Sequence, residues 1–109
     1  GNSDKSAKRV SIILNIDKKV DLPDIAKQLG ISFEELIQEL DQIVNSGTKL
    51  NLRYFLNQFI EEELQAEVTA YFKTVDIADL EAANAYFEGD FSMEELELMH
   101  IQFLSDVGN

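Results

Sequence analysis

"DLPDIAKQLGISFEELIQEL", Asp21 to Leu40, decides the fold. Asp21 stands where a helix cap is wanted, and Pro23 follows in the first turn, where its missing N–H costs little. Ile25, Ala26 and Leu29 recur at helical spacing, and Gly30 ends the helix in the left-handed conformation a tight exit favours. Ser32 opens the next helix. "SFEE" has capping-box spacing, Ser32 accepting from a backbone N–H while Glu35 reaches back. Phe33, Leu36, Ile37, Leu40, Ile43 and Val44 continue the apolar face until "NSG" closes it at Gly47. Two helices joined by the sharp "QLGIS" turn make a helix–turn–helix.

Upstream, Val10, Ile13, Leu14 and Asp17 fall at i, i+3, i+4 and i+7, with Ile12 and Ile16 widening the apolar face, so a third helix precedes the pair. The β-branched run "VSIILNI" also suits a buried strand; the spacing favours helix. Downstream, "TKLNL", Thr48 to Leu52, reads as extended, the remnant of a wing. Further apolar stripes follow: Leu52, Phe55, Leu56 and Phe59; then Leu64, Val68, Tyr71, Phe72 and Val75; then Ile77, Leu80, Ala83 and Phe87, ended by Gly89. Ser92 and Glu95 repeat the capping signature, and Leu96, Met99, His100, Phe103 and Val107 form the inner side of the last helix. The expected fold is all-α: a three-helix, winged-helix-like helix–turn–helix lobe followed by a small acidic helical lobe. Residues 1–20 form a basic segment entering the first helix, 21–52 the helix–turn–helix and 53–109 the acidic lobe, all in one compact domain.

Charge divides the chain unevenly. Of its 109 residues, the first twenty hold five basic and two acidic side chains, a balance of +3. The remainder holds four basic and nineteen acidic ones, a balance of −15. Such a field opposes approach to phosphate, whose neutralisation supplies most non-specific nucleic-acid affinity. With no Cys, thiolate–zinc sites, disulfides and a cysteine nucleophile are excluded. No apolar run approaches the ~18 residues of a membrane span, and "GNSDKSAKRV" lacks the apolar region of a signal peptide. A cytoplasmic location and no membrane partner are expected. Gly1 suggests a piece cut from something longer.

The stretch "VDLPDIAKQLGISFEELIQELDQIVNSGTKLNLRYF" resembles the helix–turn–helix domain at the C-terminus of bacterial RecQ DNA helicases. The family pattern is an "(E/D)-I-A" helix, a "G-(L/I)-S" turn, a helix ending in "(I/V)-x-x-G" and an "L-(N/D)-(L/I)" segment, here Leu50 to Leu52. The second lobe adds an "S-x-E-E-(I/L)-x-L" helix, here "SMEELEL", Ser92 to Leu98, so the likeness spans roughly residues 10–104. It implies a parent that unwinds DNA 3′-to-5′ with ATP and Mg²⁺ in recombination and repair. The chain itself has no G-x-x-x-x-G-K-[ST] loop, so neither catalysis nor a cofactor is expected from it.

Two sets of residues are candidates for contact with nucleic acid or a partner. Gln38 and Gln42 lie on the polar face of the helix after the turn, where a major-groove reader places its base contacts. Their neighbours Glu34, Glu35, Glu39 and Asp41 repel phosphate, and no Lys or Arg occurs between Lys27 and Lys49. Lys5, Lys8, Arg9, Lys18, Lys19, Lys49 and Arg53 are the cations available for a phosphate backbone or an acidic partner. Glu61 to Glu63 read as acids in a helix's first turn rather than metal ligands. His100 reads as a half-buried histidine, and the aromatics as core, with Tyr54 and Phe91 on the surface. The expected role is an interaction module that meets the helicase core of its own chain or a repair protein, with DNA reached through the parent and no small-molecule substrate. An auxiliary DNA-binding module and a stand-alone helix–turn–helix regulator are the alternatives.

Overall fold

A computed structural model describes residues 2–108, whose regular elements are all helices, with no strand among them. The helices are α1 (Asn2–Asp17), α2 (Leu22–Leu29), α3 (Phe33–Asn45), α4 (Arg53–Leu56), α5 (Glu62–Lys73), α6 (Leu80–Tyr86) and α7 (Met93–Val107). The all-α expectation holds. "VSIILNI" is helical, and α1 begins well before it. Ile12 and Ile16, one turn apart, are the buried pair on α1 with Ile13 beside them, whereas Val10 and Leu14 are 54% and 51% exposed. The spacing was therefore right and the face was rotated: Ile12 and Ile16 sit on the side that α2 covers.

Local chemistry sets the turn. Gly30 takes φ 66°, and its N–H and that of Ile31 close on Lys27 and Ala26 carbonyls at 3.2 and 3.0 Å. Only glycine enters that region without steric cost. Ser32 Oγ accepts from the Glu35 N–H at 3.0 Å, while the full reciprocal box forms at Ser92 and Glu95. Asp21 does not cap α2 through its side chain. Pro23 offers no N–H, and the Asp24 N–H already donates to the Asp21 carbonyl at 3.0 Å. The Asp21 carboxylate is left to accept from Gln58 Nε2 at 2.8 Å.

The core runs from the helix–turn–helix into the acidic lobe because α7 packs against α3, α4, α5 and α6. That central position buries two sides of α7: Leu96 and Met99 on one, Leu98, Ile101, Gln102 and Ser105 on the other. Val107, expected inside, is 56% exposed on the last turn. Each fully buried Leu or Ile contributes about 1.5–3 kcal/mol, so the two lobes stabilise one another through α7.

The segment Thr48–Leu52 builds no strand ladder. Gln102 and Ser105 hold its backbone instead. Gln102 Oε1 accepts from the Leu52 N–H at 2.6 Å and its Nε2 donates to the Leu50 carbonyl at 3.2 Å. Ser105 Oγ accepts from the Leu50 N–H and donates to the Leu50 carbonyl, each at 2.9 Å. Two helix side chains thus supply the hydrogen bonds that a neighbouring strand would give, while Leu50 and Leu52 fill the core.

Candidate nucleic-acid and partner interface

Helix α3 occupies the place of a recognition helix, and the surrounding helices reach its polar side at Glu39, Asp41 and Gln42. From α1, Arg9 Nε meets Glu39 Oε2 at 3.2 Å, and Arg9 Nη2 donates to Gln42 Oε1. On the other flank, Gln38, Asp41 and Gln42 line a cleft of about 300 Å³ with Leu80, Glu97, His100 and Ile101. A residue that reads bases needs its amide free, and Gln42 has given its oxygen to Arg9. Gln38 stays exposed among carboxylates.

The surrounding carboxylates act on Glu97. Burial, then Glu94, Glu34 and Asp41, push the Glu97 carboxyl above its ordinary range. Burial lowers the His100 pKa, and Asp41 opposes it in part. The His100 ring lies 4.9 Å from Phe72 and 6.3 Å from Phe103, a half-buried packing residue as its spacing suggested. Among the described residues, no His, Asp and Glu set gathers three groups that could hold a metal ion, and no helix is long and apolar enough to cross a membrane.

The basic candidates do not form one surface. Lys5 and Lys8 lie along α1, and about 20 Å of helix separates Lys5 from Lys18. Lys18 and Lys19 are exposed just beyond α1, with Lys19 at φ 63°. Lys19 and Arg53 share a depression of about 420 Å³ with Asn51, Tyr54 and Asn57. Arg53 is also paired with Asp106 of α7, and Lys49 is exposed. The structure therefore brings Lys19 and Arg53 together, ties Arg9 to α3, and keeps Gln38 and Gln42 on a different side.

A family model described as RecQ-1-like, helix-turn-helix domain matches residues 6–56. This chain carries a RecQ-1-like helix–turn–helix domain. The RecQ-1-like domain covers α1 from Ser6 onward, the α2–turn–α3 unit, the Thr48–Leu52 segment and α4. A comparison with curated proteins gives no match. Helices α5 to α7 lie beyond the matched residues, yet α7 holds the RecQ-1-like domain's closing segment through Gln102 and Ser105.

Several of these residues escaped the sequence reading. Gln102 and Ser105 sit on a second buried side of α7 that a single apolar stripe does not reveal; their signal is two small or amide side chains three apart amid apolar neighbours. Phe91 is buried, not on the surface. Tyr54 is half-buried, its phenol donating to the Val20 carbonyl, and burial followed by the Asp21 charge pushes its pKa up to about 12. The exposed aromatics are instead Phe59 and Tyr86, at 64% and 66%. Phe59 loses its place in the core because α4 lasts one turn: the chain tightens at Asn57–Ile60, sending Ile60 inward and Phe59 out.

Proposed function

We propose that this chain is an accessory interaction domain of a RecQ-like 3′-to-5′ DNA helicase that acts in recombination and repair, meeting the helicase core or a repair protein rather than reading DNA. In that role, ATP and Mg²⁺ are handled by the motor, DNA is reached through it, and the site of action is the cytoplasm. The observation that carries the reading is the state of α3. Its outward side is carboxylate-rich, its Gln42 is engaged by Arg9, and its flank is packed against α7. Docking such a face on a duplex requires giving up internal contacts and approaching phosphates with negative charge. A basic protein surface meets the same field favourably.

The Lys19–Arg53 depression favours a second reading, an auxiliary DNA-binding module, since two cations and two Asn amides line it, with Asp17 as the one carboxylate among them. A stand-alone regulator fits less well, because it needs α3 free. Fluorescence anisotropy against single-stranded, duplex and forked DNA, run beside a pull-down with a RecQ motor, separates the readings. The interaction domain captures the motor and gives only weak DNA binding that disappears by about 150 mM salt. DNA binding that persists there and is lost in Lys18→Glu with Lys19→Glu and Lys49→Glu establishes the second reading instead.

A further inference from the structure

Phe33, Phe55 and Phe59 form a ladder of rings, with centroids 6.5 Å apart between the first two and 5.1 Å between the last two. With Leu56, Ile60 and Leu98 they wall an open cleft of about 390 Å³ between α4 and the start of α7, and Ser92, Glu94 and Glu95 form its rim. A phenyl ring 64% exposed at the mouth of an apolar cleft is surface that association would remove from water.

We propose that this cleft docks a basic amphipathic segment of a protein partner, an apolar side chain entering between Phe59 and Leu98 while flanking Lys or Arg residues meet Glu94 and Glu34. The proposal rests on the interaction-domain reading and gives that reading a location. Charge selects the occupant. Glu34 adjoins Phe33 in sequence, Glu94 lies on the rim, and Glu97 stands one turn from the rim on α7. The ion pairs among the described residues, Arg9–Glu39 and Arg53–Asp106, leave all three out. Burial raises the Glu97 carboxyl, and the Glu94 and Glu34 charges raise it further, so this end of the molecule holds negative potential that an incoming cation relieves. Glu95 is less available, since its carboxylate accepts from the Ser92 N–H at 2.8 Å.

The test uses the whole chain and a labelled 14-residue peptide with Leu at i, i+3, i+4 and i+7 and Lys elsewhere, titrated by anisotropy. Phe59→Ser should weaken binding by about tenfold to a hundredfold, the range expected for losing one buried phenyl contact, and Glu94→Lys by about tenfold. Ile77→Ser and Glu63→Lys, exposed changes outside the cleft lining, should leave it within about twofold. Because Phe59 is mostly exposed, its variant keeps the wild-type melting temperature, and Leu98→Met offers a milder change from the opposite wall. Equal loss in Glu94→Lys and Glu63→Lys, or no loss in Phe59→Ser, overturns the proposal. So does wild-type dimerisation in sedimentation that Phe59→Ser abolishes, because the occupant is then a second copy. Capture of a RecQ motor that survives Phe59→Ser removes this site but keeps the interaction domain. Peptide binding through Phe59 without motor capture keeps the site and removes the helicase role.

Discussion

Gln102 puts a carboxamide inside the core, where its oxygen and nitrogen serve backbone groups of Leu52 and Leu50. Replacing it by leucine fills similar space but leaves the Leu52 N–H buried and unpaired. A buried orphan donor costs about 1–3 kcal/mol, so Gln102→Leu should lower stability by about 2 kcal/mol, read as a lower urea midpoint with an unchanged slope. Wild-type stability in that variant would mean the segment finds other partners. Glu97 acts in the opposite sense. Its carboxyl is raised in the fold by burial and by Glu94, Glu34 and Asp41, so the protonated form is the one the fold favours. The stability linked to it is present below the ordinary glutamate range and is lost as pH rises through the raised value. Glu97→Gln should therefore raise the melting temperature at pH 7, and the gain should shrink as pH falls below the ordinary glutamate range, where the wild-type carboxyl is protonated in both states. A gain that persists in acid would assign the effect to packing instead.

At the level of elements, periodicity located the helices and failed to choose their buried sides where a helix has more than one neighbour. The α2–turn–α3 unit was legible because each signal is local: Pro23 in the first turn, Gly30 at a left-handed exit, Ser32 accepting from Glu35. Helix α1 was legible as a helix, but Val10 and Leu14 match the same spacing as Ile12 and Ile16, and only the position of α2 decides between them. Helix α7 defeats the one-stripe rule because it is central, burying Leu96 with Met99 and also Leu98 with Gln102. Ile77, counted in an apolar stripe, lies outside α6 and is 85% exposed. The basic residues could be counted in advance. Their arrangement could not, since Arg9 meets Glu39 across thirty positions and Arg53 meets Asp106 across fifty-three.

For the molecule as a whole, the matched residues 6–56 and the helices after them share one core, with α7 reaching from α3 to α5. Their separation has a built-in reporter. The amides of Leu50 and Leu52 donate to side chains of α7, not to their own neighbours in sequence. Hydrogen exchange at these two positions consequently times the lifting of α7, whereas exchange within α2 or α3 times the unravelling of those helices. In the wild type both amides should exchange as slowly as those in the middle of α7, and Gln102→Leu should speed Leu52 while leaving Leu50 held by Ser105. Fast exchange at both in the unaltered chain would show that the halves part readily. A ligand that bridges α4 and α7 would slow this clock without touching either amide, which makes the pair a sensor for occupancy of the face above them.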